Sequence, residues 1–274
     1  MSAPPGSRFK DLASRIVTAA VYASATIGAV WWGTLPTAML YGVIAALATR
    51  EFYTMRRGGP GLPHVVLGVA SAGAMPLATA LWAGEGIRWV FTVLTLVLIV
   101  RHTFIVRVRV TETAEALFGA LYTGVLISHL ILIRSVFADG MALTLILIAS
   151  VWASDVAAYL FGIAFGRHKL APRISPKKSW EGFYAGTAAC VAVWMFVPGA
   201  LGIEIALWLL AAVGLAVALA AVVGDLFESR LKREVGVKDS GDALPGHGGF
   251  LDRIDSLLLA GLVAYWALWL GGIR

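Results

Sequence analysis

Cysteine is almost missing from this 274-residue sequence: Cys190 stands alone, so a secreted scaffold held by intramolecular disulfides is excluded. Charge is scarce as well, with Asp, Glu, Lys and Arg making up 14% of residues, against about 25% in ordinary globular domains. The chain lacks the phosphate-loop pattern G-x-x-x-x-G-K-[ST] and has no strand-bound G-x-G-x-x-G, which removes the commonest nucleotide-binding signatures. Internal repeats, heptad arrays and low-complexity tracts are absent too, apart from a short polar Ser-Ala-Pro-Pro-Gly-Ser lead. What is present in excess is apolar surface: 59% of residues are of the AVILMFWYC set and the mean hydropathy is +0.83. These values exclude a disordered or collagen-like chain and describe an all-α integral membrane protein.

Spanning the hydrocarbon core takes roughly 20 mostly apolar residues in a helix. Nine segments approach that length: Ile16 to Trp32, Leu35 to Phe52, Val65 to Gly84, Ile87 to Val106, Ala116 to Ile133, Met141 to Phe165, Phe183 to Ala200, Gly202 to Phe227 and Ile254 to Gly272. The second has few residues to spare and follows a Gly33-Thr34-Leu35-Pro36 turn, so a re-entrant hairpin with the first is an alternative. Ala23-Ser24-Ala25 imitates a signal-peptide cleavage site, but the apolar run continues through Trp32 and reads as a retained helix. With a cytoplasmic N-terminus, only Arg88, Arg134 and Arg274 of the 22 Lys and Arg residues fall outside. The net charge of +6 is then mainly positive-inside topology, and no nucleic-acid partner is needed to explain it. The expected organisation is an N-terminal membrane region, 1–110, and a C-terminal catalytic region, 111–274, in a cell (inner) membrane.

Two cytoplasmic loops are longer than a simple connection requires, 166–182 and 228–255. The first combines Ser175, Lys177, Lys178 and Ser179 with two prolines, a pattern able to donate to phosphate oxygens, although a topology anchor touching anionic headgroups is the more usual explanation of a basic loop taken alone. The second holds Ser229, Lys232, Arg233, Lys238, His247, Gly248, Gly249 and Arg253, and its glycines allow close backbone approach to a ligand. Acids lie at membrane depth: Asp155 inside the sixth segment, Asp225 and Glu228 near the end of the eighth, Asp252 and Asp255 at the start of the ninth. Each of the last two pairs is spaced by three, which places both members on one helix face. Carboxylates of this kind facing phosphate oxygens suit Mg2+, whereas pairing with Arg230, Arg253 or a lysine is the structural alternative.

Ser229-x-Leu231-Lys232-Arg233, Lys238-Asp239 and His247-Gly248-Gly249-x-x-Asp252-Arg253-Ile254-Asp255 together resemble the signature of the phosphatidate cytidylyltransferases, or CDP-diacylglycerol synthases. Ser154-Asp155 with Ala158-Tyr159 and Gly162, and the block Ser175 to Gly182, look like the same family, with Ser179 where a Thr is expected. The likeness in motifs covers about the C-terminal half; the N-terminal half is similar in hydropathy alone. The resemblance implies transfer of a cytidylyl group from CTP to phosphatidate, giving CDP-diacylglycerol and pyrophosphate with Mg2+, in phospholipid synthesis at the cytoplasmic interface of the bilayer. It implies a metal site on Asp225 and Asp252, with Asp255 or Glu228 in support. Lys177, Lys178 and Ser179 would then grip nucleotide phosphates, Ser229, Lys232 and Arg233 would hold phosphate of either substrate, and His247, Gly248 and Gly249 would touch the reacting groups. Ser175, Lys238 and Arg253 complete the expected phosphate contacts, and a homodimer is compatible with the family. The rival readings are a CTP-dependent polyprenol or phytol kinase, a synthase for an ether-linked phosphatidate, and a transporter using Asp155 for a coupling ion.

Overall fold

A computed structural model describes residues 5–56, 58–241, 243 and 248–273, with side chains from residue 16 onward. Arg57 and His247 therefore lie outside the described residues, as do the side chains of Arg8, Lys10, Arg15 and Arg274. Among the described residues the helices are α1 (Pro5–Trp32), α2 (Thr34–Thr54), α3 (Leu62–Trp82), α4 (Gly84–Phe104), α5 (Val110–Val136), α6 (Gly140–Phe165), α7 (Trp180–Ala200), α8 (Leu207–Glu234) and α9 (Leu251–Leu270). The chain is an all-α membrane protein. Seven of these helices, α3 to α9, are long and apolar enough to cross a bilayer; α2 falls short of that measure, and the part of α1 with described side chains, Ile16–Trp32, is a shorter apolar helix.

Helix boundaries depart from the hydropathy segments where polar residues continue a helix into the interface. The eighth segment was expected to end at Phe227, but α8 runs on to Glu234, because Glu228 to Glu234 keep helical spacing and an Arg230–Glu234 pair at i, i+4 supports the last turn. The loop expected over 228–255 is thus confined to 235–250. The loop over 166–182 is also ordered differently: β1 (Lys169–Ala171) and β2 (Ser175–Ser179) form an antiparallel hairpin with Lys169 opposite Ser179 and Ala171 opposite Ser175. Ser179 ends the hairpin and starts α7, its Oγ accepting the Gly182 N–H at 3.2 Å as an N-cap.

Two apolar cores hold the bundle. The larger joins Val30, Tyr41, Ile44, Leu130, Leu147, Trp194, Val217 and Leu258, contributed by α1, α2 and α5 to α9. The smaller joins Met75 of α3 and Leu94 and Leu98 of α4 to Ala116 and Ala120 of α5. Lipid tails are as apolar as these side chains, so close approach of backbones supplies much of the attraction between helices. At the α6/α7 crossing a Cβ on Gly186 would stand 2.8 Å from the Ser154 carbonyl oxygen, and one on Gly182 2.6 Å from that of Ala158. That crossing brings Asp155 beside the hairpin. In α5 the turn Ala120–Val125 is π-helical, and Thr123 Oγ1 lies 2.5 Å from Thr49 Oγ1 of α2.

Candidate functional site

Four elements meet at one end of the bundle: the end of α8, the start of α9, the hairpin, and the middle of α6. Lys178 of β2 places its Nζ 2.6 Å from Asp225 Oδ2 of α8, and Ser229 Oγ, one helical turn along, donates to Asp225 Oδ1 at 3.3 Å. Asp255 of α9 accepts the Ser256 N–H at 2.7 Å. Asp155, Asp225 and Asp255 lie within electrostatic reach of one another and of Lys178. Arg253 is felt by Asp155 as well. The α8/α9 crossing that makes this convergence possible is tight: a Cβ on Gly224 would stand 2.5 Å from the Asp255 carbonyl oxygen.

A second cluster is built around Lys232, one turn farther along α8. Its Nζ lies 2.5 Å from Glu228 Oε2 and 2.6 Å from Asp252 Oδ1. The other Asp252 oxygen accepts from Ser240 N at 3.0 Å, Ser240 Oγ at 2.9 Å and Gly249 N at 2.8 Å. Glu51 of α2 completes the cluster, accepting from Phe250 N at 2.9 Å, Leu251 N at 2.9 Å and Ser240 Oγ at 3.1 Å. Two carboxylates therefore sit on the free N–H groups at the start of α9, where the helix dipole favours negative charge. Gly248, at φ +76°, makes the turn into that start, and a Cβ there would lie 2.6 Å from Asp252 Oδ2.

The four acids read together as metal ligands are thus divided: Asp225 and Asp255 stand with Asp155 and Lys178, while Asp252 and Glu228 stand with Lys232. Among the described residues no three His, Cys, Asp or Glu side chains converge in metal-binding geometry. The chemistry of the first group still fits a divalent cation. Three carboxylates gather within reach of Lys178 there, with Arg253 acting on Asp155, and any phosphate arriving adds negative charge that those two cations do not balance. In the second group the Asp252 oxygens are already committed to Lys232, Ser240 and Gly249.

The remaining expected phosphate contacts take several places. Lys177 and Lys238 are exposed, Ser175 is half-buried, and Ser179 is buried as the α7 cap. Arg233 donates from Nε to Ile174 O at 3.4 Å and from Nη1 to Val237 O at 3.1 Å, tying the hairpin to the end of α8. Trp180 packs its ring against Phe183 and Tyr184. Glu51 escaped the sequence reading, since an acid beside Arg50 at a helix end looks like interfacial charge. Its one signal was an acid within an apolar segment.

A model of the cytidylyltransferase family matches residues 13–270, nearly the whole bundle. The chain belongs to the cytidylyltransferase family. Within that family it is 47% identical over 136 residues to a phosphatidate cytidylyltransferase of Pseudomonas aeruginosa, covering 49% of each chain. It is 41% identical over 153 residues to one of Brucella suis, covering 54% of each. A third, of Mycobacterium leprae, is 42% identical over 134 residues, 47% of this chain and 41% of that one. The aligned part of this cytidylyltransferase spans about half the length of the relatives it matches.

Proposed function

We propose that the chain is a phosphatidate cytidylyltransferase, converting CTP and phosphatidate into CDP-diacylglycerol and pyrophosphate. Family membership together with relatives of that name supports the reaction class. The observation that carries the chemistry is the Lys178–Asp225 pair, where a basic hairpin side chain meets a membrane-helix carboxylate with two more within electrostatic reach.

A non-bridging oxygen of the lipid phosphate attacks the α-phosphorus of CTP. The new P–O bond forms as the bond from the α-phosphorus to the α,β-bridging oxygen breaks, and pyrophosphate leaves with that electron pair. A phosphate monoester has its second pKa at about 6, so the nucleophile is already ionised and no strong base is required. The work left to the protein is alignment and charge balance. Lys178, released from Asp225, can turn to a triphosphate oxygen; Ser229 donates a hydrogen bond to Asp225 beside it, and Arg253 brings a further positive charge. Asp155, Asp225 and Asp255 are the residues that would hold Mg2+, which when bound neutralises charge on the triphosphate and the departing pyrophosphate. Lys232, Asp252, Glu228 and Glu51 fix the start of α9 and so hold Asp255 at its depth.

We place the site at the cytoplasmic face of the cell membrane, with nine passes and the N-terminus inside, on the distribution of Lys and Arg. The test is detergent-purified protein with phosphatidate, CTP and Mg2+, following pyrophosphate and CDP-lipid together. Both products, lost with EDTA, are expected. CDP with a phosphorylated lipid alcohol would instead indicate a kinase.

A further inference from the structure

Tyr122 lies in the π-helical turn of α5, and π-turns concentrate at functional sites because they re-aim side chains. Its residue is 3% exposed, yet among the described residues its hydroxyl has no hydrogen-bond partner. A buried phenol usually finds one. The ring stacks on Phe118 at 5.9 Å between centroids and meets Phe227 edge-on at 5.2 Å. Phe227 sits on α8 between Asp225 and Glu228, and Tyr122 itself lies in the electrostatic reach of Asp255, Glu228 and Asp225.

The rings bridge a seam. The backbones of α5 and α8 do not pack on each other to any extent, and Phe118, at 40% exposed, and Phe227, at 37%, face outward at membrane depth. Phe52 touches the rings of Phe118 and Tyr122 and also lines a cavity of about 200 Å3 between α2, α5 and α8, with Met55, Arg56, Glu115 and Leu231. The ring is held from behind, by the Thr123–Thr49 contact and by the close approach of Gly124 to Ala72, where a Cβ would stand 2.7 Å from the Ala72 Cα.

We propose that this seam admits the diacyl lipid and that the Tyr122 hydroxyl donates a hydrogen bond to one of its ester carbonyls. This rests on the proposed reaction and names how its lipid is seated. A neutral ester carbonyl is a better partner than a phosphate oxygen, because Asp255, Glu228 and Asp225 act on the phenol electrostatically while the lysines that pair with two of them, Lys178 and Lys232, lie elsewhere in the site. An ester carbonyl is neutral, lies one glycerol unit from the phosphate, and sits where headgroups give way to acyl chains. The chains then run out along Phe118 and Phe227, while the phosphate reaches Lys178.

The test compares wild type with Tyr122→Phe on two lipids, an ester-linked diacyl phosphatidate and its ether-linked dialkyl analogue. A lost neutral hydrogen bond predicts a rise of about three- to tenfold in KM for the ester lipid. KM for the ether lipid and for CTP should stay unchanged. Tyr122→Phe should also melt no lower than wild type without lipid, since it removes a hydroxyl with no protein partner. Equal effects on both lipids, no effect on either, or a drop in melting temperature would overturn the assignment. Lipid binding by native mass spectrometry gives a second reading of the same comparison. If wild type makes CDP-lipid from neither substrate, the catalytic reading fails, while the ester-against-ether difference in binding still decides the role of Tyr122.

Discussion

Lys178 and Lys232 are both paired lysines, yet they are held in different ways. Lys232 is gripped by Glu228 and Asp252 with helix structure on both sides, while Lys178 makes its ion pair with Asp225 from the strand of a hairpin. Truncating Lys178 to Met should leave a folded protein with weakened handling of the nucleotide, raising KM for CTP. The same change at Lys232 leaves two buried carboxylates without a cation, and its mark should be loss of folded protein in size-exclusion profiles. Asp225→Asn should lower turnover by about 10²–10³-fold or more in inserted, folded protein, since it removes charge where the reacting phosphates need balancing. Full activity in that variant, assayed by CDP-lipid formation, would remove Asp225 from the site.

Helices were the most legible elements, because an apolar run of the right length has few other outcomes in lipid. The hairpin was not legible. Its strands have three and five residues, the second reading Ser-Pro-Lys-Lys-Ser, with no apolar alternation to signal a strand. The acids at 225, 228, 252 and 255 stood out in the sequence by their depth at the ends of apolar segments. Their division between two lysines was not readable, because it depends on which helix face turns toward which neighbour. At this scale the Ser179 cap offers a check. Ser179→Ala should destabilise the start of α7 by about 1 kcal/mol, and Ser179→Thr should restore it, as followed by thermal unfolding in detergent. A phosphate-gripping role without capping would instead leave stability untouched in both.

Across the whole molecule, the larger core draws on both halves of the sequence, and the distribution of Lys and Arg predicts an orientation in the bilayer that can be tested. Replacing Cys190 by Ser and placing single cysteines at Lys238 and Arg88 gives a direct check. A membrane-impermeant maleimide should label position 88 in intact cells and position 238 only in inverted vesicles. The opposite pattern would reverse the topology. Glu51→Ala has a reach of similar scale. It leaves two backbone N–H groups and the Ser240 hydroxyl without that acceptor, at about 1–3 kcal/mol for a buried group. The expected outcome is faster trypsin cleavage within 235–250, at Lys238, and lower activity, with Glu51→Gln intermediate.

The bond between Glu51 and Ser240 also sets an order of events during synthesis. The two residues are 189 positions apart, and at about 5–20 residues per second a ribosome takes about 10–40 s to make the intervening chain. For that interval the Glu51 carboxylate of α2 lacks Phe250, Leu251 and Ser240. Until the last helix arrives, its nearest cations in sequence are Arg50 and Arg56. A nascent chain halted before α9 would hold an unquenched acid and no assembled site, so quality-control proteases should distinguish it from the finished protein.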